Sequence, residues 1–139
     1  MTLWSNLKKL HVGGMLGTTF LTVFLYKIAP SLYEESIDVA FNVGNIIGQN
    51  SVVGFLVYAL TGIVVFPLIF FIFFKSSSSF NLSGGMLCGM VFFLFMLLVG
   101  ALEIESRKLL VVTFAAFTAY GTFLVLPCLL CADNATKSQ

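Results

Sequence analysis

Three cysteines and a single histidine are the side chains with the most distinctive chemistry in this chain. His11, Cys88, Cys128 and Cys131 make up a Cys3His set, one of the donor sets of a tetrahedral zinc site. The local spacing argues against that use, because Cys128-Leu129-Leu130-Cys131 lacks the turn-forming residues of a metal knuckle, whereas free cysteine is a common buried hydrophobe. One histidine also cannot supply both axial ligands of a two-histidine haem within one copy. The sequence implies no metal and no cofactor. Nucleophilic catalysis has no better footing: there is no G-x-S-x-G, serine is confined largely to loops, and the histidine has no neighbouring aspartate. The glycine pairs open apolar runs and are not followed by lysine, so they do not form a phosphate-cradling loop. No residue set reads as catalytic, and the expectation is that the chain is not an enzyme.

Hydroxyls are the other polar groups inside the apolar runs. They are chiefly Thr18, Thr19, Thr22, Tyr26, Tyr58, Thr61, Thr113, Thr118, Tyr120 and Thr122. Such groups bond their own helix or a neighbour, and they suit helix packing as well as a pore lining. A proton-coupled carrier normally needs a buried carboxylate or histidine, and no ionisable residue falls at mid-run.

The elements that carry these residues belong in hydrocarbon. The 139 residues are 59% hydrophobic and 9% charged, with a mean hydropathy of +1.05, against roughly 25% charged residues in a soluble domain. Sixteen phenylalanines beside so many leucines and valines exceed what one soluble core of this size can hide. The net charge of +1 leaves no basic surface to neutralise a row of phosphates, so nucleic acid is not an expected partner. Four apolar stretches reach or approach the roughly 20 residues a spanning helix needs, at 10–28, 52–74, 84–102 and 109–131. They lack the alternation of a lipid-facing strand, so they are read as helices.

Lys8 and Lys9 precede the first run as in a signal peptide, but Tyr26-Lys27-Ile28-Ala29-Pro30 offers no small-x-small cleavage site, which makes it a retained anchor. Lys8, Lys9, Lys75 and Lys137 fall on one side and Lys27, Arg107 and Lys108 on the other, which places both termini in the cytoplasm. Lys75 with Ser76 to Ser79 reads as a polar turn, and Glu103 to Lys108 as a charged one.

An internal repeat organises the runs. Gly13-Gly14-Met15-Leu16-Gly17 opens the first and Gly84-Gly85-Met86-Leu87-Cys88-Gly89 the third; Tyr58-Ala59-Leu60-Thr61-Gly62 leads to Pro67 in the second, and Thr118-Ala119-Tyr120-Gly121 to Pro127 in the fourth. The expected fold is an all-α membrane protein: a four-transmembrane-helix bundle of two tandem helical hairpins, a parallel repeat about an axis along the membrane normal. The GxxxG pairs Gly13/Gly17 and Gly85/Gly89, and the small face of Ala115 and Ala119, are the expected helix-packing residues, with spans one and three meeting through the glycines. Pro67 and Pro127 each remove a helix hydrogen bond and are expected kinks, either improving packing or framing a midplane site.

Between spans one and two, Ser31-Leu32-Tyr33-Glu34 fits a capping box, followed by Ile37, Ala40, Phe41, Gly44, Ile47 and Gly48 at helical spacing. This predicts a short amphipathic interfacial helix over about 31–48, apolar side down. With these features in view, residues 13–127 resemble a family of small, uncharacterised four-span bacterial inner-membrane proteins. The resemblance implies an inner-membrane location and carries no functional residues with it. Two functions are expected from the residues: an accessory or assembly subunit of a membrane complex, partnered by membrane lipid and by other subunits or a second copy, or a small carrier or channel for a neutral or lipid-like solute.

Overall fold

The structure, a computed structural model, describes residues 3–74 and 81–137. Among the described residues there are five helices and no strand. Helix α1 is continuous over residues 3–33, built from Leu3–Val23, a π-helical turn Phe24–Ile28 and Ala29–Tyr33. Helix α2 is Val39–Ile46; α3 covers Ser51–Phe74, with Ser51–Leu60, a second π turn Thr61–Val65 and Phe66–Phe74; α4 is Leu82–Leu98; α5 is Arg107–Lys137. The polar turn expected at 75–79 lies outside the described residues.

Three helices, α1, α3 and α5, are long and apolar enough to cross a membrane. The third expected span, 84–102, forms a helix shorter than its apolar run. Helix α4 has 17 residues, about 25 Å of rise against a hydrocarbon core of about 30 Å, because Gly100 turns left-handed (φ 76°) and ends the helix before Ala101 and Leu102.

Side-chain oxygens start most of these helices. Asn50 accepts the Val53 N–H at 3.1 Å, Asn81 the Gly84 N–H at 2.7 Å, and Ser106 the Leu109 N–H at 3.4 Å. Each fills one donor that a helix start leaves open.

The prolines explain the two π turns. A proline lacks an N–H, and its ring clashes with the carbonyl four residues back, so a straight α-helix through Pro30 or Pro67 would be strained. A widened turn directly before each one lets the chain continue, with Ala29 N–H bonding Phe24 O and Phe66 N–H bonding Thr61 O. Pro127 sits inside α5 with no π turn.

This corrects the connector. Since α1 runs on through Pro30 to Tyr33, Ser31 does not cap a new helix; its hydroxyl bonds back to Ile28 O at 2.9 Å. Glu34, at φ 55°, breaks the helix, and α2 begins only at Val39, where Asp38 accepts the Phe41 N–H at 3.0 Å. The buried residues are Ile37, Val39, Ala40, Val43 and Gly44, whereas Phe41 and Ile47 are exposed. The buried face lies on the start of α3, where Gly54 comes against Ala40 O and Gly44. Two polar ties hold α2 from above: the Tyr26 hydroxyl donates to Asp38 at 3.1 Å and accepts the Ala40 N–H at 2.9 Å, and Asn42 donates to Ala101 O at 3.2 Å.

Helix α5 is the hub. It packs along α1 on one side and α4 on the other, while α3 packs on α1. Helices α3 and α4 close the ring chiefly through Phe66, stacked on Phe92 with centroids 4.1 Å apart and tilted against Phe95 at 5.9 Å. Phe92 also meets the edges of Phe117 and Tyr120, joining three helices in one aromatic cluster.

Asp38 both caps α2 and anchors Tyr26, so Asp38→Ala is expected to lower the stability of detergent-solubilised protein by about 1 kcal/mol. Asp38→Asn keeps an equivalent cap and should lose less, with thermal unfolding followed by circular dichroism as the measurement.

Candidate functional site

The sequence directs attention to the glycines, and the structure shows what each one faces. On α1, a Cβ at Gly13 would collide with Leu124 O and lie 2.7 Å from Phe123 O, and one at Gly17 would lie 2.5 Å from the Tyr120 ring. On α4, a Cβ at Gly85 would strike Gly121 O and one at Gly89 would strike Phe117 O. Both GxxxG pairs therefore face α5. Spans one and three do not meet through these glycines, because the fourth lies between them and receives each on a different side.

The receiving face of α5 is built from Ala116, Phe117, Tyr120, Gly121 and Leu124, all buried. Ala115 is exposed and Ala119 only half-buried, so the small face expected from these two alanines is not the one that packs. Small residues occur on both faces of this helix, and Gly121 decides between them. A Cβ there would strike Gly85 O and approach Gly89 N at 2.8 Å.

Gly14, beside Gly13, points to the other neighbour. Its Cβ would lie 2.7 Å from Pro67 Cγ, 2.9 Å from Gly62 O and 3.2 Å from Ile63 O. Gly62 in turn faces the Thr18 hydroxyl. The glycine pair thus lets α1 sit close to two helices at once, with the Gly13 side against a carbonyl that Pro127 leaves without its α-helical N–H, Phe123 O.

The polar groups sort by place. Exposed or half-buried threonines bond their own helix: Thr19 to Met15 O, Thr22 to Thr18 O, Thr61 to Val57 O and Thr118 to Phe114 O, at 2.7–2.9 Å. Tyr120 instead reaches across, its hydroxyl donating to Gly62 O at 2.5 Å. That carbonyl needs an outside donor, because Phe66 N–H is taken by Thr61 O and the next residue is Pro67. Thr18 and Thr113 are buried with no hydrogen-bond partner, whereas the Tyr58 hydroxyl lies beside Thr22, whose oxygen donates to Thr18 O and can still accept from Tyr58.

The cysteine and histidine residues are dispersed. The His11 ring bonds Leu7 O at 2.8 Å, all three cysteines are free, and no group of three or more His, Cys, Asp or Glu side chains among the described residues is placed to hold a metal ion. Cys88 instead lines an apolar side groove between α3 and α4, of about 380 Å³, with Ile69, Phe70, Phe73, Leu87 and Val91. The charged groups gather at the opposite end of α4: Glu35, Asp38, Glu103 and Glu105 ring one small cavity, and Arg107 and Lys108 line another.

Gly121, Gly62 and Gly14 were not among the packing residues expected from the sequence. The repeat carried the signal for the first two, since it aligns Gly62 with Gly121, and the doubled glycine at Gly13-Gly14 carried it for the third.

Two outcomes follow for unfolding in detergent. Gly121→Ala should cost about 1–3 kcal/mol through the forced separation of α4 and α5, whereas Ala115→Leu on the exposed face should stay within about 0.5 kcal/mol. Tyr120→Phe strips the Gly62 carbonyl of its donor and should cost about 1–3 kcal/mol, whereas Thr113→Val removes a buried hydroxyl that has no partner and should be neutral or stabilising.

No curated protein and no solved structure matches the chain. The pattern of one family does, over residues 6–136, nearly the whole length and every helix described above. The chain belongs to the family of unknown function DUF6789.

Proposed function

We propose that the chain is a noncatalytic four-span protein of the bacterial inner membrane, an accessory or assembly subunit of a larger membrane complex, with both termini cytoplasmic. The observation that carries this reading is the unequal closure of the helix ring. Three seams, α3 to α1, α1 to α5 and α5 to α4, bring backbone close to backbone at glycines. The fourth, between α3 and α4, is held by Phe66 and leaves the side groove with Phe73 75% exposed and Val91 48% exposed. A groove of this kind is what an apolar helix of another subunit fills, since van der Waals packing is the main source of helix association in lipid.

Matching contacts support the two-hairpin repeat. The sequence aligns Gly14 with Gly85 and Gly62 with Gly121, and Gly14 sits against Gly62 O as Gly85 sits against Gly121 O. The pairs α1/α3 and α4/α5 would then be equivalent hairpins, with α4 crossing as the short third span, completed by residues 99–102. Lysines at residues 8, 9, 75 and 137 support cytoplasmic termini.

One observation favours a second reading, a carrier for a neutral or lipid-like solute: Thr18 and Thr113 keep buried hydroxyls that no group among the described residues uses. Solute flux into proteoliposomes decides for that alternative.

The experiment for the subunit reading is extraction in mild detergent. A partner is expected to copurify at fixed stoichiometry, to be lost when Val91→Trp fills the groove, and to be retained with Ile72→Trp on the outer face of α3. A lone, monodisperse species under every gentle extraction would refute it.

A further inference from the structure

The end of the molecule that carries α2 has a cavity of about 460 Å³ where α1 stops and α5 starts, lined by Tyr33, Arg107, Lys108, Val111 and Val112. Arg107 and Lys108 are exposed, and neither has an ion pair or a side-chain hydrogen bond among the described residues. Acidic residues are close in sequence but placed elsewhere: Glu103 and Glu105 join Glu35 and Asp38 around the separate acidic cavity. The two cations therefore share one wall with no counter-charge on it. Their position adds to the imbalance, because they occupy the first turn of a 31-residue helix, where the positive end of the helix dipole disfavours cations and favours an anion.

We propose that this cavity holds the phosphate headgroup of an anionic phospholipid, an inference that rests on the membrane reading of α1 and α5. The walls identify the source of the phosphate. Arg107 offers a planar fork suited to two phosphate oxygens and Lys108 a second charge, while Val111, 66% exposed, and Val112 continue the cavity along the apolar flank of α5. A headgroup held at residues 107 and 108 places its acyl chains on that flank; a free phosphate would leave the valines unused. Tyr33 brings an amphipathic ring to the same level, the place such rings take at a membrane boundary. A zwitterionic lipid presents the same phosphate with its charge already balanced, so the site discriminates by net headgroup charge.

The test is native mass spectrometry of the full chain in mild detergent, with phosphatidylglycerol and phosphatidylcholine as probes. One phosphatidylglycerol is expected to be retained in preference to phosphatidylcholine. Lys108→Gln should weaken its retention about fivefold, and Arg107→Gln with Lys108→Gln about 25-fold, at about fivefold for each surface charge removed. Lys27→Gln, which neutralises an exposed cation on α1 outside the cavity, should change nothing, and the variants should melt as the parent does. Equal retention of the two lipids, or undiminished phosphatidylglycerol binding in the double variant, overturns the proposal. Displacement by excess inorganic phosphate overturns the lipid as occupant in favour of a soluble anion. A protein that stays soluble without detergent defeats the membrane reading itself, whereas one that needs detergent yet binds both lipids alike defeats only this site.

Discussion

A helix in hydrocarbon has no water to complete its backbone hydrogen bonds, and Gly62 is where this chain meets that constraint most sharply. Pro67 withholds an N–H, the π turn before it gives the Phe66 N–H to Thr61 O, and the Gly62 carbonyl is left pointing away from its own helix. Tyr120 supplies the missing donor from α5. A defect in one helix thus becomes a bond between two, and it fixes the height at which α5 lies against α3. Because α5 also receives α1 and α4, the same contact sets the register of the whole bundle.

Glycine and phenylalanine divide the remaining packing between them. Where glycines line a seam, as at Gly13, Gly85, Gly89 and Gly121, backbone meets backbone and the two helices have little room to shift. Where phenylalanines line it, as between α3 and α4, rings meet at centroid distances of 4.1–5.9 Å and the helices stand apart. The bundle is consequently close-packed around α5 and open at the seam between α3 and α4. This contrast, more than any polar group, gives the molecule a distinct face.

Much of the architecture was legible because it depends on local quantities. The apolar run at 52–74 coincides with the helix Ser51–Phe74, and the absence of alternation foretold an all-helical chain. What was not legible depends on partners. Ala115 and Ala119 have the same small-xxx-small spacing as the true seam, and spacing cannot say which face of a helix meets a neighbour; Gly121 does, once Gly85 lies opposite. Ser31 to Glu34 has the letters of a capping box, yet Pro30 does not stop α1, since a π turn at Phe24–Ile28 absorbs it and Tyr26 is then held by Asp38. Both GxxxG motifs were visible, but not that a third helix would take both. The assignment to one partner or another is a property of the assembled bundle.

The unpartnered hydroxyls follow from the same division. A threonine on an outer face is free to rotate onto the carbonyl four residues back, as Thr19, Thr61 and Thr118 do, so lipid never meets a bare hydroxyl there. Thr18 and Thr113 are enclosed, and Thr18 Oγ1 lies against Gly62, where a Cβ would not fit. Close packing there excludes both a second donor and a side chain on Gly62, and a Cα–H facing the oxygen is the weak contact that remains. Gly62 is therefore approached by Gly14 and Thr18 from α1 and by Tyr120 from α5. The absence of a side chain at this one position is what lets three helices converge.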